Sequence, residues 1–308
     1  MARLREIRKH FLVYLILLIE IFGFAFGSPR QAFAQLGAIG GIGGISGAET
    51  TEATPLFTMT GTPSFREGEG SLSFAYQNTR ITRAFGDKIE DRLGATVAAE
   101  LTSRVFLMSY GVTDRLSVGA VFEFDTSRVR ADTDNDGVAE KVEQEDLANP
   151  SFSAKYTVLR NPNISIRGLV MLPTGYEAGT DNPSVQLDLA YSTSLGGFSD
   201  LHLQVGYQYT MKDRFSVDPT DILIANAALA RSFGDNFVFF TELTFRQGGG
   251  SFDSENDTPT QKSLDVVPGF KARFNEKFLV SAATRISLVN DFALGYDYSY
   301  LALLSYSF

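Results

Sequence analysis

The sequence predicts an all-β fold: a transmembrane, antiparallel up-and-down β-barrel of about twelve strands, with short periplasmic turns and longer extracellular loops. Three observations predict it. The N-terminus reads as an export leader, long stretches alternate apolar with polar residues, and the closing segment is such a stretch ending on an aromatic.

The leader comes first. Arg3, Arg5, Arg8 and Lys9 precede an apolar run from Phe11 to Phe26, and Ala32-Phe33-Ala34 supplies small residues at the spacing a signal peptidase needs. The run is short for a spanning helix and carries Glu20, so cleavage after Ala34 is expected, with 1–34 as signal peptide and Gln35 as the mature start. There is no Cys, hence no lipid-modified N-terminus and no disulfide framework. Loss of the leader, with five basic and two acidic residues, takes the formal charge from −9 to −12. So acidic a chain is unsuited to nucleic acid, whose phosphates need a basic face, and suited to a surface that meets divalent cations.

Residues 35–70 follow, beginning with a Gly-rich run from Gly37 to Gly47. Glycine at this density is flexible and costly to order. It reads as a loose periplasmic leader or as a plug threading the lumen.

The barrel is expected over 71–308. Side chains in a strand alternate between faces, so regular alternation over about ten residues marks a strand that crosses hydrocarbon. Phe152, Ala154, Tyr156 and Val158 alternate with Ser151, Ser153, Lys155 and Thr157; Val185, Leu187, Leu189 and Tyr191 with Gln186, Asp188, Ala190 and Ser192. Leu201, Leu203, Val205, Tyr207, Tyr209 and Met211 oppose His202, Gln204, Gly206, Gln208 and Thr210, and Phe237, Phe239, Leu243 and Phe245 oppose Glu242, Thr244 and Arg246. Residues 99–111 and 221–233 read as strands mainly by spacing. The last segment sets Tyr296, Tyr298, Tyr300, Ala302, Leu304, Tyr306 and Phe308 on one face, the lipid side. With 26 Phe, 12 Tyr and no Trp, the interfacial girdles must be built from Phe and Tyr.

Connections alternate too. Thr113-Asp114, Asn161-Pro162-Asn163, Gly196 to Asp200, Gly234 to Asn236 and Asn275-Glu276 are tight turns, and between them lie polar stretches at 84–92, 127–148, 177–184, 212–220 and 248–262. An even strand count puts both termini in the periplasm. A secreted β-sandwich also alternates, but its strands are nearer six residues long.

In this register the lumen receives Glu123, Asp125, Lys155, Arg167, Asp188, His202, Glu242, Arg246, Asp265, Lys271, Arg273 and Arg285. Mixed signs suit either a cross-lumen network that stiffens the wall or a narrow polar channel. The chain from Asp132 to Glu143 matches the calcium loop of an EF-hand: Asp132, Asp134, Asp136, the Val138 carbonyl, Glu140 and Glu143 fall at ligand positions and Gly137 at the sharp turn. Ca²⁺ is therefore the one cofactor expected, although no flanking helices accompany the loop.

Short motifs carry a family resemblance. Tyr110-Gly111-Val112-Thr113-Asp114-Arg115-Leu116, then Asp146-Leu147 leading into Lys155-Tyr156, then Leu172-Pro173-Thr174-Gly175, resemble the bacterial outer-membrane family labelled for the MetA-pathway of phenol degradation, from roughly Ser71 to Phe308. The resemblance implies a barrel related by fold to hydrocarbon and long-chain fatty-acid transporters, passive uptake of small hydrophobic or aromatic solutes, and no catalytic residues. The ending on Phe308 resembles the C-terminal strand by which Gram-negative outer-membrane proteins are recognised, implying the barrel-assembly machinery as a partner during insertion, with outer-membrane lipid and lipopolysaccharide as surroundings. Apolar solutes leaving sideways would need a break in the wall, and Pro268-Gly269 within a strand is the candidate lateral gate, or else a simple bulge.

Two other function classes stand beside the channel. One is a structural or adhesive barrel with a calcium-binding loop. The other is a lipid-modifying enzyme, which the sequence does not favour: His202 is the only His after the leader, it follows an inner turn, and no Gly-x-Ser-x-Gly elbow is present.

Overall fold

A computed structural model describes residues 65–84, 87–88, 97–131, 140–148, 150–174, 183–196, 199–211, 221–234, 236–249, 261–290 and 294–308. The segment expected as signal peptide, the Gly-rich run and Asp132 to Ala139 lie outside the described residues. The strands are β1 (Gly70–Ala84), β2 (Asp87–Lys88), β3 (Val97–Gly111), β4 (Leu116–Ala131), β5 (Glu140–Leu147), β6 (Ser151–Arg160), β7 (Asn163–Met171), β8 (Ser184–Gly196), β9 (Ser199–Thr210), β10 (Asp221–Phe233), β11 (Phe237–Gly249), β12 (Gln261–Arg273), β13 (Phe278–Asn290) and β14 (Leu294–Ser307).

All pairing is antiparallel: β2 pairs only with β1, β5 and β6 both pair with β4, the other strands pair with the next wall strand in sequence, and β14 pairs with β1 to close the sheet. Closure is what a membrane demands, because no water is available there to satisfy a free strand edge. β4 pairs with β5 from Phe124 to Ala131 and with β6 from Leu116 to Val121, so β5 and β6 are two lengths of one descending strand. Ala148 N–H bridges the break by donating to Glu123 O at 2.9 Å. With β2 an appendage of β1, the wall has twelve staves. The two ends of the barrel wall meet at one rim, the terminal rim, where Gly70 N–H donates to Phe308 O and Phe308 N–H to Gly70 O, both at 3.0 Å. A Cβ on Gly70 would lie 2.6 Å from the Phe308 ring, so the absence of a side chain there seats the terminal aromatic.

Alternation decides which side chains meet lipid. In β9, Leu203, Val205, Tyr207 and Tyr209 are exposed, whereas His202, Gln204, Gly206 and Gln208 are buried. This is an inverted core: the apolar face looks outward because the solvent there is hydrocarbon. Exposed aromatics form two bands. Tyr110, Tyr156, Phe237, Phe239 and Phe278 lie toward the rim that holds the termini, and Tyr76, Tyr207, Tyr209, Tyr298 and Tyr300 toward the opposite rim. The five tight turns all fall at the terminal rim, as expected.

Two expectations are corrected. The stretch 127–148 is not a loop through its length, since β4 continues to Ala131 and β5 runs from Glu140. These strand ends stand above the apolar band and carry charge on the outer face, so the alternation that marks a membrane strand is lost there. Tyr296 is not on the lipid side. It is buried at 2% exposure, because β1 and β14 slip register between Thr79 and Ile81 and again between Ile81 and Arg83, opposite Tyr296, which turns that side chain inward.

Candidate functional site

Of the twelve residues expected in the lumen, Glu123, Asp125, Lys155, Arg167, Asp188, His202, Glu242, Arg246, Asp265, Lys271 and Arg285 are buried on the inner face. Arg273 differs. It lies beside the terminal rim, next to the turn after β12, and is partly exposed.

The charges are wired locally, within a strand, to the next strand or to the next but one. Arg167 and Asp188 stand directly opposite on β7 and β8, and Arg167 donates to Asp188 Oδ2 from Nε at 2.8 Å and from Nη2 at 2.6 Å. Gln186 Nε2 donates to Asp188 Oδ1 at 2.8 Å. A Cβ on Gly206, opposite Asp188, would strike that carboxylate, so the glycine makes room for the ion pair. On the far wall Tyr296 Oη donates to Asp265 Oδ2 at 2.8 Å and accepts from Arg285, while Arg246 lies within electrostatic reach of Asp265. Asp125 accepts from Ser103 Oγ at 2.5 Å, and His202 Nδ1 is 2.9 Å from Ser192 Oγ. At the seam, hydroxyl pairs Ser73–Ser305 and Thr79–Ser299 at 2.7 Å tie β1 to β14 from the inside.

The interior is not uniformly polar. Ala230, Phe240, Gly269, Ala283 and Leu301 are mutual partners along one register line through β10, β11, β12, β13 and β14. Beside it, Leu303, Ala75 and Val105 continue across β14, β1 and β3, and all the non-glycine members belong to one buried apolar cluster with Leu107 and Val267. One side of the lumen is therefore filled by a continuous packed apolar strip, with Glu242, Asp265, Arg285 and Tyr296 along its edge away from the terminal rim. The alternation of the closing segment, which turns Tyr300, Ala302 and Leu304 outward, leaves Leu301 and Leu303 on the inner face, but Phe240, Val105 and Leu107 were missed. The signal for Phe240 was present: of the adjacent aromatics Phe239 and Phe240 one must point inward, and Gly269 across from it is the space its ring fills.

Pro268 lies on the outer face, and the β12–β13 ladder has partners at Val266 and Gly269 but none at Val267 or Pro268. The register shift lies elsewhere, between Leu264 and Asp265, where Leu288 of β13 is the unpaired extra residue. Of the expected calcium ligands, Asp132, Asp134, Asp136 and Val138 lie outside the described residues. Glu140 opens β5, and Glu143, within β5, accepts from Arg128 Nε at 3.0 Å. Among the described residues no group of three or more His, Asp or Glu is placed to hold a metal.

A family model described as "Putative MetA-pathway of phenol degradation" matches residues 79–300. The chain belongs to this family. The MetA-pathway family barrel is similar in fold to the COG4313 outer membrane channel from Pseudomonas putida F1, with a TM-score of 0.63 and 15% identity over 81% of this chain and 99% of that one. It is also similar to the translocator domain of the autotransporter NalP from Neisseria meningitidis, with a TM-score of 0.55 and 11% identity over 92% of this chain and 99% of that one. The Ralstonia pickettii toluene transporter TbuX matches at a TM-score of 0.46 and 10% identity over 84% and 95%. For the first two the likeness is one of fold, an outer-membrane β-barrel. No curated protein matches the chain.

Proposed function

We propose that the protein is an outer-membrane channel for passive uptake of small hydrophobic compounds, aromatic ones included. The apolar strip through the lumen carries this reading. A conduit for sugars or ions gains nothing from burying Leu301, Leu303, Leu107 and Phe240 against one another on its inner wall. An apolar solute does, because where these packed side chains part to admit it they meet it with apolar surface, on which it sheds water without meeting a bare charge. The family's name and the channel of similar fold support the same class. The neighbouring charges are held in pairs and networks, which keeps them from trapping a solute as isolated ions would.

The test is uptake into proteoliposomes whose lipopolysaccharide leaflet slows spontaneous entry of apolar solutes. The mature protein should accelerate entry of a small aromatic over empty vesicles and leave a sugar of similar size unaffected. Leu301→Ser with Leu303→Ser should slow the aromatic about tenfold, since each substitution removes roughly 1.5–3 kcal/mol of apolar contact when fully realised and only part is felt in transit. Equal rates for aromatic and sugar, or an unchanged aromatic rate in the double variant, would defeat the proposal.

A further inference from the structure

The outer surface of β1, β3, β4 and β5 changes character in two steps toward the rim opposite the termini. One register row reads Tyr76, Arg104, Phe124 and Leu147; the next reads Asn78, Thr102, Thr126 and Glu145; the next reads Arg80, Glu100, Arg128 and Glu143. The row below, Phe74, Phe106 and Phe122, is aromatic, with Phe74 and Phe106 at a ring separation of 5.2 Å. Aromatic girdles mark the level of the lipid headgroups, and Tyr76, in the first of these rows, belongs to the girdle of this rim. The polar rows therefore stand at and just above that level, on the lipid-facing side and not in the lumen.

The charges there are built in. Arg104 Nη1 is 2.6 Å from Glu145 Oε1 with 39% and 60% of the two side chains exposed, and Arg128 pairs with Glu143 at 36% and 38% exposure. Arg80 is exposed at the end of the last row, and Asn78 Nδ2 donates to Glu100 and, at 3.2 Å, to Thr102. The last row thus alternates in sign: Arg80, Glu100, Arg128, Glu143. Round the wall near this rim the outward residues Tyr209, Leu223, Phe245 and Tyr298 are interrupted only by the scattered charges Asp221, which accepts from Tyr207 Oη, and Lys262, so among the described residues the paired and clustered charge lies on one side. On an acidic protein, three arginines within three strands form a distinct place where an anion is tolerated.

We infer that this face is a docking site for the phosphorylated glycolipid of the outer leaflet, lipopolysaccharide, bound through its lipid A phosphates with divalent cations. Arginines grip phosphate oxygens directly. The three glutamates, which would repel a phosphate alone, become ligands when a hard divalent ion bridges carboxylate and phosphate. A glycolipid carrying several phosphates and its own divalent ions matches a face of three positive and three negative groups better than a singly charged phospholipid does. This inference needs the rim opposite the termini to face the cell exterior, and it does not depend on what crosses the lumen.

The test uses the full mature barrel in detergent and follows thermal unfolding by far-UV circular dichroism, the chain having no Trp for fluorescence. The probes are bisphosphorylated lipid A, enzymatically dephosphorylated lipid A and phosphatidylglycerol, each with Mg²⁺ or with chelator. Bisphosphorylated lipid A with Mg²⁺ should raise Tm by several degrees. Dephosphorylated lipid A and phosphatidylglycerol should shift it by less than half as much, and chelator should abolish most of the gain. Combining Arg80→Gln, Arg104→Gln and Arg128→Gln should remove the lipid A effect while leaving heat-modifiable gel mobility native. Equal shifts from phosphatidylglycerol or dephosphorylated lipid A, or no loss with chelator, would overturn the inference from the wild-type protein alone. A native-folding triple variant that keeps the shift would overturn it as well.

Discussion

Arg167 and Asp188 show how single residues in this lumen are fixed by their surroundings. Both are essentially inaccessible, with side-chain exposures of 4% and 0%, and Asp188 takes two bonds from Arg167 and a third from Gln186. Such a pair contributes little net stability over an apolar substitute, but removing one partner strands a buried charge. Asp188→Asn should destabilise the barrel by about 3–5 kcal/mol, whereas Arg167→Met with Asp188→Leu should fall much closer to wild type. Urea unfolding in lipid vesicles checks this, and a single variant as stable as the double would refute it. Both residues were legible in the sequence, Asp188 because it sits in a strand of unbroken alternation and Arg167 because Asn163, Ile164, Ser165 and Ile166 alternate into it. Tyr296 was not, because its position depends on where β1 and β14 slip register, and a slip depends on two strands more than 200 residues apart.

Pro268 belongs to the scale of the element. Proline has no N–H to donate, and in a closed barrel no free edge exists to hide the loss, so the ladder between β12 and β13 lapses at Val267 and Pro268. The adjoining Gly269 has a different duty. A Cβ there would strike the Phe240 ring and lie 2.7 Å from Ala283 Cβ and 2.8 Å from Ala282 O, so the residue seats a ring of the apolar strip. Should solutes leave the strip sideways through the lapse, Pro268→Val, which restores a donor, should cut hydrophobic uptake severalfold in the proteoliposome assay; unchanged uptake would assign the proline a purely structural part. The sequence exposed the proline and the membrane strands for one reason: within hydrocarbon, side-chain chemistry is forced to alternate. Above the hydrocarbon that force is gone. Arg128, Glu143 and Glu145 could therefore be read as loop although they are strand, and β5 was missed as part of the wall.

For the whole molecule, the ladder is uneven round the ring. β8 and β9 are paired to their outer ends, with Ser184 opposite Thr210. β13 and β14 share partners only from Phe278/Tyr306 to Ile286/Tyr298, leaving the outer ends of both strands without a mutual ladder. Those same ends are bounded on one side by the Pro268 lapse and the extra residue Leu288, and on the other by the two slips between β14 and β1. One panel of the barrel thus has weakened seams on both flanks and at its centre. Local opening follows the number of hydrogen bonds that must break, so this panel should open far more often than its opposite. Hydrogen exchange read by mass spectrometry on the lipid-embedded protein should find peptides covering 286–290 and 294–298 exchanging at least about tenfold faster than those covering 184–190 and 204–210. The β8–β9 peptides lie equally far toward the outer rim, so fraying common to all strand ends cancels in the comparison. Uniform protection would mean that Tyr296, held by Asp265 and Arg285 from within, restores from the lumen what the seams lack.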